Sequence, residues 1–164
     1  MKYPIVRAGQ YYALSFFIGA VARILWSLAS DYLLSGRRKG ILVMIALILF
    51  LSSLVLGMIS FFPALSPLLI CAILAFGMSG IGWNAIYWTI ICEAAGKESA
   101  GLATGIGYSF GFLGGLIVPP LFGFLADRTD TYGWSWILLT FCTVGILLLL
   151  SFYQEKPRTQ NSPA

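Results

Sequence analysis

Long apolar runs separated by short polar connectors dominate the chain. A helix crosses the hydrocarbon core of a bilayer when about 20 consecutive residues are mainly apolar. About five runs reach that length, near residues 12–32, 41–62, 68–92, 102–126 and 134–153. The connectors carry glycine, proline or charge, as turns between antiparallel helices do. The pattern therefore predicts an all-α integral membrane protein, with a transmembrane helical region over 1–153 and a polar tail over 154–164.

The composition excludes several classes of function. Hydrophobic residues make up 59% of the chain and charged residues only 10%, so a soluble domain of this length could not bury its apolar surface. Histidine is absent, which removes the commonest acid–base group at neutral pH and the commonest metal ligand. We therefore expect no enzymatic activity, no metal, no cofactor and no nucleic-acid partner. We expect membrane lipid to surround the predicted spans.

The distribution of cations predicts an orientation. Six cations fall on one side of the predicted spans and three on the other, and the richer side is usually cytoplasmic. The six are Arg37, Arg38, Lys39, Lys97, Lys156 and Arg158. This predicts a multi-pass protein of the cell membrane, with the 35–40 loop and the C-terminus in the cytoplasm.

Arg23 is the only charge deep inside a predicted span. A charge at the centre of a membrane helix costs about 2.5–3.5 kcal/mol on insertion scales, so it needs a partner or water. Arg23 shares one helix face with Ser15, Gly19, Ser27 and Asp31, which recur every four residues. Two interpretations stay open: an anion-binding or gating arginine beside a water-filled cavity, or an arginine satisfied by carbonyls of neighbouring helices.

A group of charged residues follows the first predicted span. Asp31 followed by Gly36, Arg37, Arg38 and Lys39 predicts a charge cluster that docks one helix on its neighbours.

In the fourth span, Gly107, Gly111 and Gly115 recur every four residues, a pattern that lets helix backbones approach closely. Pro119 and Pro120 are expected to weaken or kink that helix. The second and fifth spans are apolar all round, which suggests lipid-facing positions.

The order of these motifs resembles the major facilitator superfamily. The segment from Ala22 to Asp31, followed by Gly36 to Lys39, resembles the signature loop between the second and third helices of a half of that family. Ser27 stands where the motif usually has glycine. Four residues instead of two separate Asp31 from Gly36, a spacing that resembles the organophosphate and related anion transporters. The 93–101 loop is similar to the loop after the fourth helix of such a half, and the glycine- and proline-rich fourth span resembles its fifth helix.

The resemblance implies a partial six-helix half, in which the spans match the last five helices of the C-terminal half. The third span would then line the substrate cavity, with Asn84, Tyr87 and Trp88 on one helix face. Aromatic core packing is the alternative for these residues.

The implied function is part of a secondary transporter that moves a small solute, which could be anionic, by alternating access. A transporter-like sensor or assembly subunit is the alternative. A missing N-terminal half or a second copy would be needed, and the isolated chain is expected not to transport.

Overall fold

The computed structural model describes residues 5–33 and 38–154, and these form helices joined by short turns. The helices are α1 (Ile5–Leu33), α2 (Arg38–Phe61), a 3-10 segment (Pro63–Leu68), α3 (Leu69–Gly80), α4 (Asn84–Thr129) and α5 (Gly133–Phe152). Four stretches of these residues are long and apolar enough to cross a membrane. The all-α membrane fold is therefore confirmed.

The third of those stretches crosses twice, because the chain reverses at Gly96. Pro63–Thr129 is 67 residues long, which would extend about 100 Å as one straight helix. The rings of Trp88 and Tyr108 nevertheless stack with centroids 3.9 Å apart, although a straight helix would separate them by about 30 Å. Gly96 lies between them with φ 74° and ψ 169°, a conformation that glycine adopts at little cost. The described residues therefore make five membrane-length passes.

The third pass is itself interrupted. Residues 81–83 separate α3 from α4, so this pass consists of α3 and the limb of α4 that precedes Gly96. The second limb of α4, residues 97–129, keeps helical backbone angles through Pro119 and Pro120. The non-helical position within α4 is Gly96, and the weakening or kink expected at these prolines stays a prediction.

Glycines allow α1 and α3 to pack closely. A Cβ atom at Gly77 would lie 2.9 Å from the Cα of Ser15, and one at Gly19 would lie 2.6 Å from the Cβ of Ile81. Gly82 is equally crowded, because a Cβ there would lie 2.9 Å from Trp26. In lipid the hydrophobic effect does not drive helices together, so close backbone packing of this kind contributes to their association.

The glycine stripe on α4 is only partly covered. A Cβ at Gly107 would lie 3.0 Å from the Trp88 ring, whereas one at Gly111 or Gly115 would meet nothing within 4 Å. Within the described residues, therefore, Gly107 alone of the three has a close packing partner. A packing role for Gly111 and Gly115 stays a prediction.

Helix α2 is more enclosed than its composition suggested. It packs against α5 on one side and α3 on another, and Ser53 and Thr140 share a buried hydrogen bond of 3.1 Å between α2 and α5. Met44, Leu47 and Leu51 face outwards. A uniformly apolar helix suits protein and lipid surroundings equally, so the expectation that α2 lies at the periphery does not describe its packing inside this chain.

Candidate functional site

An open cavity of about 390 Å³ lies where α1 meets both limbs of α4. Its lining residues are Arg23, Asn84, Ala85, Trp88 and Tyr108. The interruption at residues 81–83 places Asn84 at the start of α4, and the reversal at Gly96 brings Tyr108 back beside Trp88. The cavity is thus built by two local departures from a straight helix.

Arg23 both contacts a backbone carbonyl and lines the cavity, so the two interpretations of this residue stay open. Its Nε donates a hydrogen bond of 3.4 Å to the carbonyl oxygen of Ile81, in the interruption between α3 and α4. The same side chain lines the cavity. Within the described ranges, its terminal nitrogens have no further protein partner. Arg23 is therefore anchored through one nitrogen and can present the others to a solute.

Three of the four predicted substrate-pathway residues meet at this cavity, and Tyr87 does not. Tyr87 packs its ring against Trp83 and Trp88, with centroids 5.0 and 4.9 Å apart. It lines a different, largely apolar cavity of about 460 Å³ between α2, α3, α4 and α5. Helix periodicity placed Tyr87 on the face of Asn84, but neighbouring helices divide that face between two cavities.

Two residues of this region, Tyr108 and Trp26, were not predicted from the sequence. Tyr108 lines the cavity from the second limb of α4. Its only signal in the sequence was that it is a tyrosine away from the ends of its predicted span. Trp26 is buried, and its indole N–H donates a hydrogen bond of 3.1 Å to the carbonyl oxygen of Met78. Trp26 and Arg23 thus satisfy carbonyls near the end of α3, where helical partners run out.

The predicted charge cluster centres on Arg38. Its side chain is only 6% exposed and binds Glu93 through two hydrogen bonds of 2.8 Å. Asp31, near the end of α1, lies 3.8 Å from the same guanidinium. The bidentate geometry is the strongest form of arginine–carboxylate pairing. Arg38 therefore joins the ends of α1, α2 and the first limb of α4.

Lys39 extends the cluster to α5. Its Nζ donates hydrogen bonds to the carbonyl oxygens of Ser151, at 3.3 Å, and Tyr153. Cations are stabilising at a helix C-terminus, where carbonyls lack helical partners. Gly36 and Arg37 of the predicted signature loop lie outside the described residues. No group of histidine, cysteine or acidic side chains that could hold a metal occurs in the described part of the chain.

Replacing Glu93 tests the cluster as a structural clamp. We expect Glu93→Gln to lower stability by about 1–3 kcal/mol, because a buried guanidinium loses its bidentate anion while Asp31 stays nearby. The melting temperature of the purified chain in detergent measures the effect. Glu98→Gln is the matched control, since it removes the same charge at an exposed position beyond Gly96. Equal melting temperatures for the two variants would contradict the clamp.

Comparison with known proteins places the chain in a family. It is 25% identical over 162 residues to the "Probable galactarate/D-glucarate transporter GudP" of Escherichia coli K12, covering 97% of this chain and 36% of that protein. It is 29% identical over 94 residues to the "Glucose transporter GlcP" of Staphylococcus epidermidis, covering 57% of this chain and 20% of the relative.

The "D-galactonate transporter" of Escherichia coli O6:H1 is 30% identical over 86 residues, covering 52% of this chain and 19% of the relative. The chain thus spans about a third or less of the length of these relatives. No solved structure matches it. The family model described as Major Facilitator Superfamily matches residues 5–164, which confirms the resemblance carried by the sequence motifs. The chain is thus a multi-pass membrane protein that belongs to the Major Facilitator Superfamily.

Proposed function

We propose that the chain forms part of a secondary transporter that moves a small anionic solute by alternating access. The observation that carries this proposal is the cavity at which the membrane-embedded Arg23 meets Asn84. Family membership supports transport, and it also supports the prediction that the chain is not an enzyme.

The chemistry of the cavity favours an anion. A guanidinium is always charged and matches the geometry of a carboxylate through paired N–H donors. A charge inside a membrane protein needs a counter-charge or water, and the Ile81 carbonyl supplies only a dipole at 3.4 Å. A solute carboxylate would neutralise Arg23, whereas a neutral solute would leave its charge uncompensated.

The relatives narrow the solute class. Two of them are named for galactarate and D-glucarate or for D-galactonate, and a third is named for glucose. These solutes share a hydroxylated carbon chain, but only the sugar acids carry carboxylates. We therefore propose a sugar acid as the solute, because the positive charge of Arg23 favours a solute with a carboxylate over a neutral sugar.

The exposed apolar surface on the second limb of α4 supports the proposal that another protein segment packs there. Large apolar side chains beyond Gly107 are more than half exposed: Phe110, Phe112, Leu116 and Ile117. Gly111 and Gly115 lie open on the same limb, and a glycine face packs against another helix more favourably than against lipid. We propose that an N-terminal half, or a second copy, covers this limb and completes the solute pathway.

The charge cluster is proposed to act as a gate. We place the 35–40 loop and the C-terminus in the cytoplasm of a cell whose plasma membrane holds the protein. The Asp31–Arg38–Glu93 ion pairs and the Lys39 contacts then hold four helix ends together on the cytoplasmic side. Alternating access requires such ends to separate and rejoin, and Gly36 and Arg37 belong to the same proposed gate.

Solute binding by the chain in lipid nanodiscs tests the proposal. We expect saturable binding of radiolabelled D-glucarate, with D-glucose binding at least about tenfold more weakly because it offers no carboxylate to Arg23. Equal affinity for the two, or no D-glucarate binding, would contradict the solute class. We also expect no D-glucarate uptake by proteoliposomes that hold the 164-residue chain alone, and measured uptake would contradict the need for a partner. Binding without uptake after the partner is supplied would favour a sensor.

A further inference from the structure

Among the described residues, ring packing holds Tyr108 at the cavity. The ring stacks on Trp88 with an interplanar angle of 22° and centroids 3.9 Å apart. The neighbouring Gly107 makes room for this contact, since a Cβ there would lie 3.0 Å from the Trp88 ring. The stack uses the faces of the rings and leaves the phenol hydroxyl unused.

The cavity offers more hydrogen-bonding capacity than the protein consumes. Across residues 5–33 and 38–154, neither the Tyr108 hydroxyl nor the Asn84 carboxamide has a protein hydrogen-bond partner, and Arg23 uses only its Nε. Polar groups within a membrane protein are costly unless they meet a partner or water. The unused groups therefore favour a solute with several hydrogen-bonding positions.

The three groups differ in what they can recognise. A guanidinium only donates, as a carboxylate requires. A phenol hydroxyl both donates and accepts, and so does a carboxamide, which matches the hydroxyl groups of a solute. A carboxylate at Arg23 would thus place a neighbouring carbon chain near Asn84 and Tyr108, which line the same cavity.

We propose that Tyr108 is a specificity-determining residue that selects hydroxylated carboxylates over plain carboxylates at this cavity. This inference rests on the proposed function, because it assumes that Arg23 holds the carboxylate. Tyr108 hydrogen-bonds a solute hydroxyl, while its stack on Trp88 fixes the position of the phenol.

Two matched solutes and one isosteric variant test this selectivity. Adipate has the same carbon-chain length and the same two carboxylates as D-glucarate, but it has no hydroxyl groups. In nanodiscs, we expect Tyr108→Phe to weaken D-glucarate binding about five- to tenfold and to leave adipate binding unchanged, because the variant keeps the ring stack and loses only the hydroxyl. Tyr132→Phe is the matched control, since Tyr132 is exposed beside the start of α5 and outside the cavity lining.

Each outcome separates this inference from the proposed function. Equal weakening of both solutes in Tyr108→Phe would show that the tyrosine only supports the site, and an unchanged D-glucarate affinity would show that its hydroxyl binds nothing. Either result overturns the selectivity while leaving the anion proposal intact. Failure of the wild-type chain to bind either dicarboxylate would instead overturn the proposed function, and this inference with it.

Discussion

Arg23→Gln is expected to weaken D-glucarate binding by about 10- to 150-fold. The substitution keeps a long side chain with an amide donor but removes the charge and the paired N–H groups. A hydrogen bond to a charged group contributes about 1.5–3 kcal/mol, which corresponds to that loss of affinity. Binding of radiolabelled D-glucarate in nanodiscs measures it. Adipate should lose affinity to a similar extent, because its carboxylates would meet the same guanidinium.

The control for this variant lies on the same helix. Arg7→Gln removes an equal charge from an exposed position of α1, about four turns away, and should leave both affinities unchanged. The melting temperature separates the two roles of Arg23. A lower melting temperature with unchanged D-glucarate affinity would mean that Arg23 only anchors the Ile81 carbonyl, and it would remove the anion-binding assignment.

Gly77→Ala is expected to give the largest loss of stability, about 3 kcal/mol. The added methyl group would overlap the backbone of Ser15 on α1, and two rigid helix backbones cannot yield as a flexible side chain can. Overpacking of this kind costs about 1–3 kcal/mol and occasionally more. The melting temperature of the purified chain, together with the yield of monodisperse protein, measures the effect.

Gly111→Ala is the same chemical change, but we expect it to have the opposite effect on stability. A Cβ at Gly111 meets nothing within 4 Å among the described residues, and alanine is a better helix former than glycine by about 1 kcal/mol. The variant should therefore be neutral or slightly stabilised in the isolated chain. If both alanine variants melted at the same temperature, the close α1–α3 contact would not contribute to stability.

Properties that depend on a single stretch of chain could be predicted from the sequence. The membrane helices follow from the lengths of the apolar runs, because lipid leaves the backbone no partner outside its own segment. Arg23 could be singled out as a candidate site residue because a charge within an apolar run is costly wherever it points. The order of the glycine, proline and charged motifs was sufficient to indicate the family.

Contacts between distant segments could not be predicted in this way. The bidentate pair joins Arg38 to Glu93, and the stack joins Trp88 to Tyr108 across the reversal at Gly96. Their partners depend on where the chain turns and on how far each helix is rotated about its axis. Neither quantity is encoded in the periodicity of one helix.

The two sets of glycines show where this limit lies. The strict spacing on α4 suggested a packing face, but only Gly107 meets a close neighbour among the described residues. The less regular Gly19, Gly77 and Gly82 instead form the tight contact of α1 with α3 and with residues 81–83. The sequence determined that this protein is a set of membrane helices with Arg23 within one of the spans, because lipid acts on each segment separately. The tertiary structure decided which residues surround that arginine, because a cavity exists only where several helices meet.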